Sequence, residues 1–284
     1  MFHRVFAATS AFALSAGAVL ADGHGSKSGY AVAEGGMTLA VMADLSAPGE
    51  IATFSLANRV DAIAWRPVTG ALLGFTNGAV YEIDPTSGEM TDLGAMFMEN
   101  ATVAEGAMVA FDFNNKIDAV RAVSSAGDNL VYFPEGFGNG DEKAGSVRRF
   151  NDLAYAEGDV NAGATPMIFA NAYTNAINGM TAGSTFQYAL DAGTDALVSL
   201  ANNEGTLATI APIMVDGMAA DLSGMGGFDI ASAAEGDDHA YAILQMEGAE
   251  SAGLYAIDLE TGAATMLADL GMGGFSGFAV SMGM

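Results

Sequence analysis

Cysteine is absent from this 284-residue chain. That removes disulfides, thiolate nucleophiles, iron–sulfur ligation and lipid attachment through sulfur. Cations are scarce: nine Lys and Arg stand against 34 Asp and Glu, for a formal charge of -25. A polyanion so poor in cations cannot neutralise a phosphate backbone, which excludes nucleic acid as a partner. Histidine is limited to His3, His24 and His239. A Ser–His–Asp triad therefore has no credible base, and an imidazole metal site has too few ligands. The longest apolar run is Val5–Leu20, shorter than the roughly 20 residues that a membrane span needs. Trp65 is the one tryptophan, too few aromatic faces for an ordinary sugar platform.

Apolar residues make up 51% of the chain and glycine supplies 37 positions. A chain of this length and composition can bury a full core, and disorder is excluded. Met1–Ala21 has the form of a secretory signal peptide, with Arg4 as the positive start, an apolar middle and a small-residue cleavage site ending at Ala21. Cleavage there predicts a periplasmic or extracellular protein. Residues 22–36 are small and polar and read as a flexible lead-in. Residues 37–284 then form one domain.

That domain repeats internally. Residues 79–93, 186–200 and 253–267 each run strand, Asp-containing turn, strand, with Asp84-Pro85-Thr86-Ser87-Gly88 and Asp258-Leu259-Glu260-Thr261-Gly262 as the clearest turns. The Asp caps the turn and Gly takes its positive-φ position. A second element recurs upstream of these hairpins around Ile63, Phe111, Phe169, Phe228 and Phe278, at spacings of 48, 58, 59 and 50 residues. Periods of this size, with four short strands each, predict an all-β fold of β-propeller type. A two-sheet sandwich would also accept regularly spaced strands, but the repeat favours the ring. The last repeat supplies a single strand, and residues 37–56 lack a first strand of their own. Joining the two closes the ring and removes exposed edges. Five blades result: 275–284 with 37–57, then 60–98, 108–155, 166–213 and 225–270. Helix is expected at most as single turns at residues 44–47 and 214–222.

Several stretches carry a resemblance: Ala62–Gly74, Val80–Gly88, Phe111–Asn114, Ala119–Leu130, Ala172–Asn175 and Leu254–Asp258. In this order they resemble the secreted bacterial "domain of unknown function 4394" family. The resemblance implies a repetitive, propeller-type β fold and an extracytoplasmic location, and it implies no known activity.

Chemistry-bearing candidates are few. Asp112 and Asp229 occupy equivalent places in the first-strand element, which lines the central channel of a propeller, and Asn171 stands in the corresponding region of another blade. Oxygen ligands converging on one axis suit a hard cation, so calcium is the candidate metal. The competing reading has these side chains capping backbone groups between blades. His239 and the runs Asp141-Glu142 and Asp237-Asp238 read as solvated loop groups. Trp65, the dispersed methionines and the two Met-Gly-Gly-Phe pieces at Met225 and Met272 read as fillers of blade contacts. Together these point to a secreted, non-enzymatic binding or scaffold protein whose partner is a protein or polysaccharide outside the cytoplasm. The alternatives are a metal-dependent hydrolase using the channel carboxylates, or a self-assembling surface component.

Overall fold

The computed structural model describes residues 27–48 and 51–283. The signal-peptide and cleavage-site expectations lie outside them. Five sheets, antiparallel apart from short added edge strands, are arranged as blades in a ring, a β-propeller. The innermost strands are Phe278–Met282 for blade 1, Ala62–Arg66 for blade 2, Val109–Asn114 for blade 3, Ile168–Tyr173 for blade 4 and Leu222–Ser232 for blade 5. Each packs against the next around one axis, including blade 1 against blade 2.

The imperfect alternation of the strands has a simple cause. The core is five separate apolar layers, one between each pair of neighbouring blades, so most strands are buried on both faces. Phe75 of blade 2 packs against Phe111 of blade 3, the rings tilted by 41° with centroids 5.3 Å apart, within one such layer. Tyr30 of blade 1 and Trp65 of blade 2 lie parallel, 5.5 Å apart, within another. Trp65 is thus a blade contact, as expected, and its ring is buried.

Closure follows the expected principle with a different partner. Phe278–Met282 pairs with Lys27–Ala33, in register from Lys27 opposite Met282 to Ala31 opposite Phe278. Lys27–Ala33 then pairs with Thr38–Met42, which pairs with Ala52–Ser55. Residues 27–33, read from composition as lead-in, are therefore the second strand of blade 1. The stretch Tyr30-Ala31-Val32-Ala33 is apolar and wholly buried, a pattern that the polar residues before it obscure.

Blade limits also shift. The short strand Met96–Phe97 pairs in parallel with Ser146–Arg149 of blade 3, and Ala154–Tyr155 with Thr206–Pro212 of blade 4. Met214–Val215 does the same for blade 5, beside Ala263–Asp269. Each connecting segment adds a strand to the outer edge of the blade that follows it, covering backbone groups that would otherwise be open. The segment 214–222, expected as a helical turn, is a small hairpin of Met214–Val215 with Met218–Ala219.

The repeated turns are built as their sequence predicts. Asp84 Oδ1 accepts from the Thr86 N–H at 2.8 Å and the Thr86 hydroxyl at 2.7 Å, and Gly88 takes φ 76°. Asp258 accepts from the N–H groups of Glu260 and Thr261, with Gly262 at φ 69°. These bonds hold both carboxyls below their ordinary range. The third copy differs. Asp191 turns inward, fully buried, and accepts from the Tyr155 hydroxyl at 2.5 Å and the Met167 N–H at 2.9 Å.

Candidate functional site

The axis is where the innermost strands come together, and it is almost full. Ile63, Phe111, Phe169, Phe228 and Phe278, equivalent in the repeat, all line one cavity of about 10 Å³. That is room for about one water molecule. The blades reach this closeness because side chains are missing where backbones meet. A Cβ on Gly227 of blade 5 would lie 2.3 Å from the backbone nitrogen of Phe278 in blade 1.

Asp112, Asn171 and Asp229 stand on the innermost strands of three successive blades. All three are buried. Asp112 Oδ2 accepts from the Tyr173 N–H of blade 4 at 2.6 Å. Asp229 Oδ2 accepts from the Val280 N–H of blade 1 at 2.6 Å, and its Oδ1 from the Ile230 N–H at 2.7 Å. Each carboxylate therefore fastens its blade to the next through a backbone amide. Burial pushes Asp229 up to about 7. Burial, and then the nearby Asp229 charge, raise Asp112 well above the carboxylate range. Two desolvated like charges this close favour retention of a proton. Asn171 lines the axial cavity, and neither its amide oxygen nor its nitrogen has a protein partner. A donor and an acceptor facing a space of one water suit a water better than a bare cation.

Calcium would need six to eight oxygens. Three of the four Asp oxygens already accept backbone N–H groups. No cluster of three His, Cys, Asp or Glu side chains occurs among the described residues. What the geometry shows is backbone capping by both carboxylates, across to the next blade in each case.

Sequence reasoning missed a second buried polar group. Arg121 of blade 3 is 4% exposed. Its Nε donates to the Tyr173 hydroxyl at 2.9 Å, one terminal nitrogen to Asn129 Oδ1, and the other to Asn203 Oδ1 at 2.9 Å. The Tyr173 hydroxyl donates in turn to Asn202 Oδ1 at 2.8 Å. Burial pushes that phenol up to about 12. The signal was legible: an Arg between Val120 and Ala122, in a strand buried on both faces, has no route to water. Asp238 was also misread as a loop tip. Its Oδ1 accepts from the Asn175 N–H at 2.8 Å and the Ser232 hydroxyl at 2.5 Å, tying blade 5 to blade 4. His239 is exposed as expected, 3.3 Å from Asp237.

At the end of the ring where the innermost strands begin, a cleft of about 340 Å³ opens over the axis. Met108, Phe169, Met225, Phe275 and Ser276 line it together with several glycines, and no charged side chain does. Met225 is 46% exposed there, so it does not fill a blade contact; Met272, its counterpart in the repeat, does.

A profile of the family "Domain of unknown function (DUF4394)" matches residues 39–279. The chain belongs to this family. No curated protein matches the chain. Among solved structures, one similar chain is a protein of unknown function from Bacteroides caccae, 10% identical, with a TM-score of 0.38, covering 90% of this chain and 98% of that one. Another is an auxiliary nutrient binding protein from Bacteroides ovatus, 12% identical, with a TM-score of 0.43, covering 72% of this chain and 50% of that one. A third is a putative 6-phosphogluconolactonase from Bacteroides uniformis, 15% identical, with a TM-score of 0.39, covering 86% and 82%.

Proposed function

We propose that this protein is a non-enzymatic binding or scaffold module that works outside the cytoplasm. The observation that carries the reading is the sealed axis. The repeat-equivalent side chains leave about 10 Å³, so no substrate can reach the paired carboxylates. Those carboxylates are already engaged by backbone amides of neighbouring blades. A general acid or base must come within hydrogen-bond reach of a substrate, and neither Asp112 nor Asp229 can. Recognition is then left to the rims and faces of the ring, where loops vary freely on a rigid support.

The leader-like composition of Met1–Ala21 supports secretion. N-terminal sequencing of the chain recovered from a bacterial periplasm is expected to begin at Asp22, and retention of Met1 would remove the extracytoplasmic part of the reading. The catalytic alternative has its own test. The secreted chain is incubated with ester, phosphate and glycoside substrates, with and without calcium. No turnover is expected. Turnover that disappears in Asp112→Asn or Asp229→Asn would replace the binding role with a hydrolase.

A further inference from the structure

The cleft over the axis is shaped by an irregularity in the innermost strand of blade 5. Pairing of Leu222–Ser232 with Asp238–Met246 slips between Leu222 and Gly226, so residues 223–225 bulge out of the sheet. The bulge carries Met225 to the rim, where its N–H is held by the Ser223 hydroxyl at 3.2 Å. Glycine is required beside it. Gly226 has φ 145°, and a Cβ there would lie 1.9 Å from the Ile243 carbonyl oxygen. A Cβ at Gly224 would lie 2.9 Å from the sulfur of Met108. The Met108 side chain, from the start of blade 3, therefore reaches across to rest on blade 5. Its backbone is fixed, with N–H donating to the Ser125 hydroxyl and C=O accepting from the Ser125 N–H, both at 3.0 Å. Its thioether is partly buried and packs against the layer between blades 4 and 5.

Beneath these two methionines lie Phe169 and Phe275, both buried and set in the packed layers. The result is a rigid aromatic floor with two adaptable thioether walls, the arrangement that lets an apolar site accept varied shapes. The volume of about 340 Å³ falls within the range of small-molecule sites. Below the floor the axis is closed, so an occupant rests on it and cannot thread the ring. The half-buried Ser276 contributes the only side-chain hydroxyl in the lining. The surrounding chain carries a formal charge of -25, which repels anions from an opening that offers them no cation.

We propose that this cleft binds an uncharged, mainly apolar small molecule, an aromatic ring system or short acyl chain, held between Met108 and Met225 above Phe169 and Phe275. The proposal rests on the binding role given above and gives that role a place and a ligand class.

N-phenyl-1-naphthylamine is uncharged, and its emission rises in apolar surroundings. Titrated into the secreted chain, it is expected to show saturable binding at one site. Met225→Glu, at a half-exposed position, is expected to weaken it at least about tenfold, roughly 1.4 kcal/mol, with an unchanged melting curve. Met225→Leu is expected to retain it. Anilinonaphthalene sulfonate, with similar rings and a negative charge, is expected to bind at least about tenfold more weakly at low salt, the gap narrowing as salt screens the field. Absence of saturable binding would overturn the proposal, as would binding indifferent to both Met225→Glu and Met108→Glu. Equal affinity for the sulfonate would overturn the assignment to uncharged ligands. These outcomes are distinct from failure of the binding role, which shows as turnover in the substrate panel. A silent panel with no probe binding moves recognition to another face or to a macromolecular partner.

Discussion

A buried Arg121 with three neutral acceptors is held by geometry and not by an opposing carboxylate. Its removal leaves the Tyr173 hydroxyl and the oxygens of Asn129 and Asn203 without a donor. Arg121→Met is therefore expected to cost about 2–4 kcal/mol of stability, read from urea unfolding. A change below about 0.5 kcal/mol would show that the network is dispensable. Asp229 makes a different prediction. Its carboxyl is raised to about 7 in the fold, chiefly by burial, against an ordinary value near 4. The folded state then holds a proton that the unfolded chain has lost, so this group lowers stability as pH rises through that window. Below about pH 4 both states are protonated and the group is neutral to stability; above about 7 the full penalty applies. The advantage of the native chain over Asp229→Asn, measured by thermal melts, is expected to shrink between about pH 4 and pH 7. A constant difference would show that the carboxyl does not titrate in this range. Asp84 and Asp258 act in the opposite sense, because their lowered carboxyls lose stability on acidification.

At the level of strands, the ring depends on Lys27–Ala33 as much as on Phe278–Met282. A chain starting at Met37 keeps every strand that the hairpin repeat makes visible, yet it lacks the strand that joins the innermost one to the rest of blade 1. It is expected to aggregate or to show no cooperative melt, because two strand edges would be left open. A chain starting at Lys27 is expected to fold. Equal cooperativity of the two in circular dichroism would place the closing strand elsewhere. The contrast also shows what the sequence made legible. Asp-x-x-Thr-Gly turns and recurring apolar first strands announce themselves locally, and they located the blades and the axis. Lys27–Ala33 sits among small polar residues with no turn motif before it, so composition hid a strand whose partner lies some 250 residues away in the chain. The axial trio was legible because innermost strands must converge. Capping by Asp112 and Asp229 was legible as one of two readings, but the amides they hold were not, since those depend on the position of the neighbouring blade. The cleft was hidden further, because Met225 and Met272 are alike in sequence and only the bulge at residues 223–225 separates their surroundings.

For the molecule as a whole, the excess of 34 acidic groups over nine basic ones makes self-repulsion a standing cost of compactness. Raising sodium chloride from about 0.01 M to 0.5 M shortens the screening length from roughly 30 Å to under 8 Å. It is expected to raise the melting temperature by several degrees, at about 2–4 °C per kcal/mol for a chain of this size. Calcium chloride at matched ionic strength is expected to give the same rise. A further rise specific to calcium, and lost in Asp112→Asn, would mark an axial ion. The uncharged mouth of the ring is an exception on this acidic surface, and that contrast gives the cleft its selectivity. The closing pair has one more consequence. Lys27 and Met282 are register partners, so a short linker between them would turn the polypeptide into a continuous circle. The loop at residues 134–145 could then be cut to provide new ends. Such a circular permutant would keep the same five blades while its ends, and any fused tag or tether, lay in blade 3.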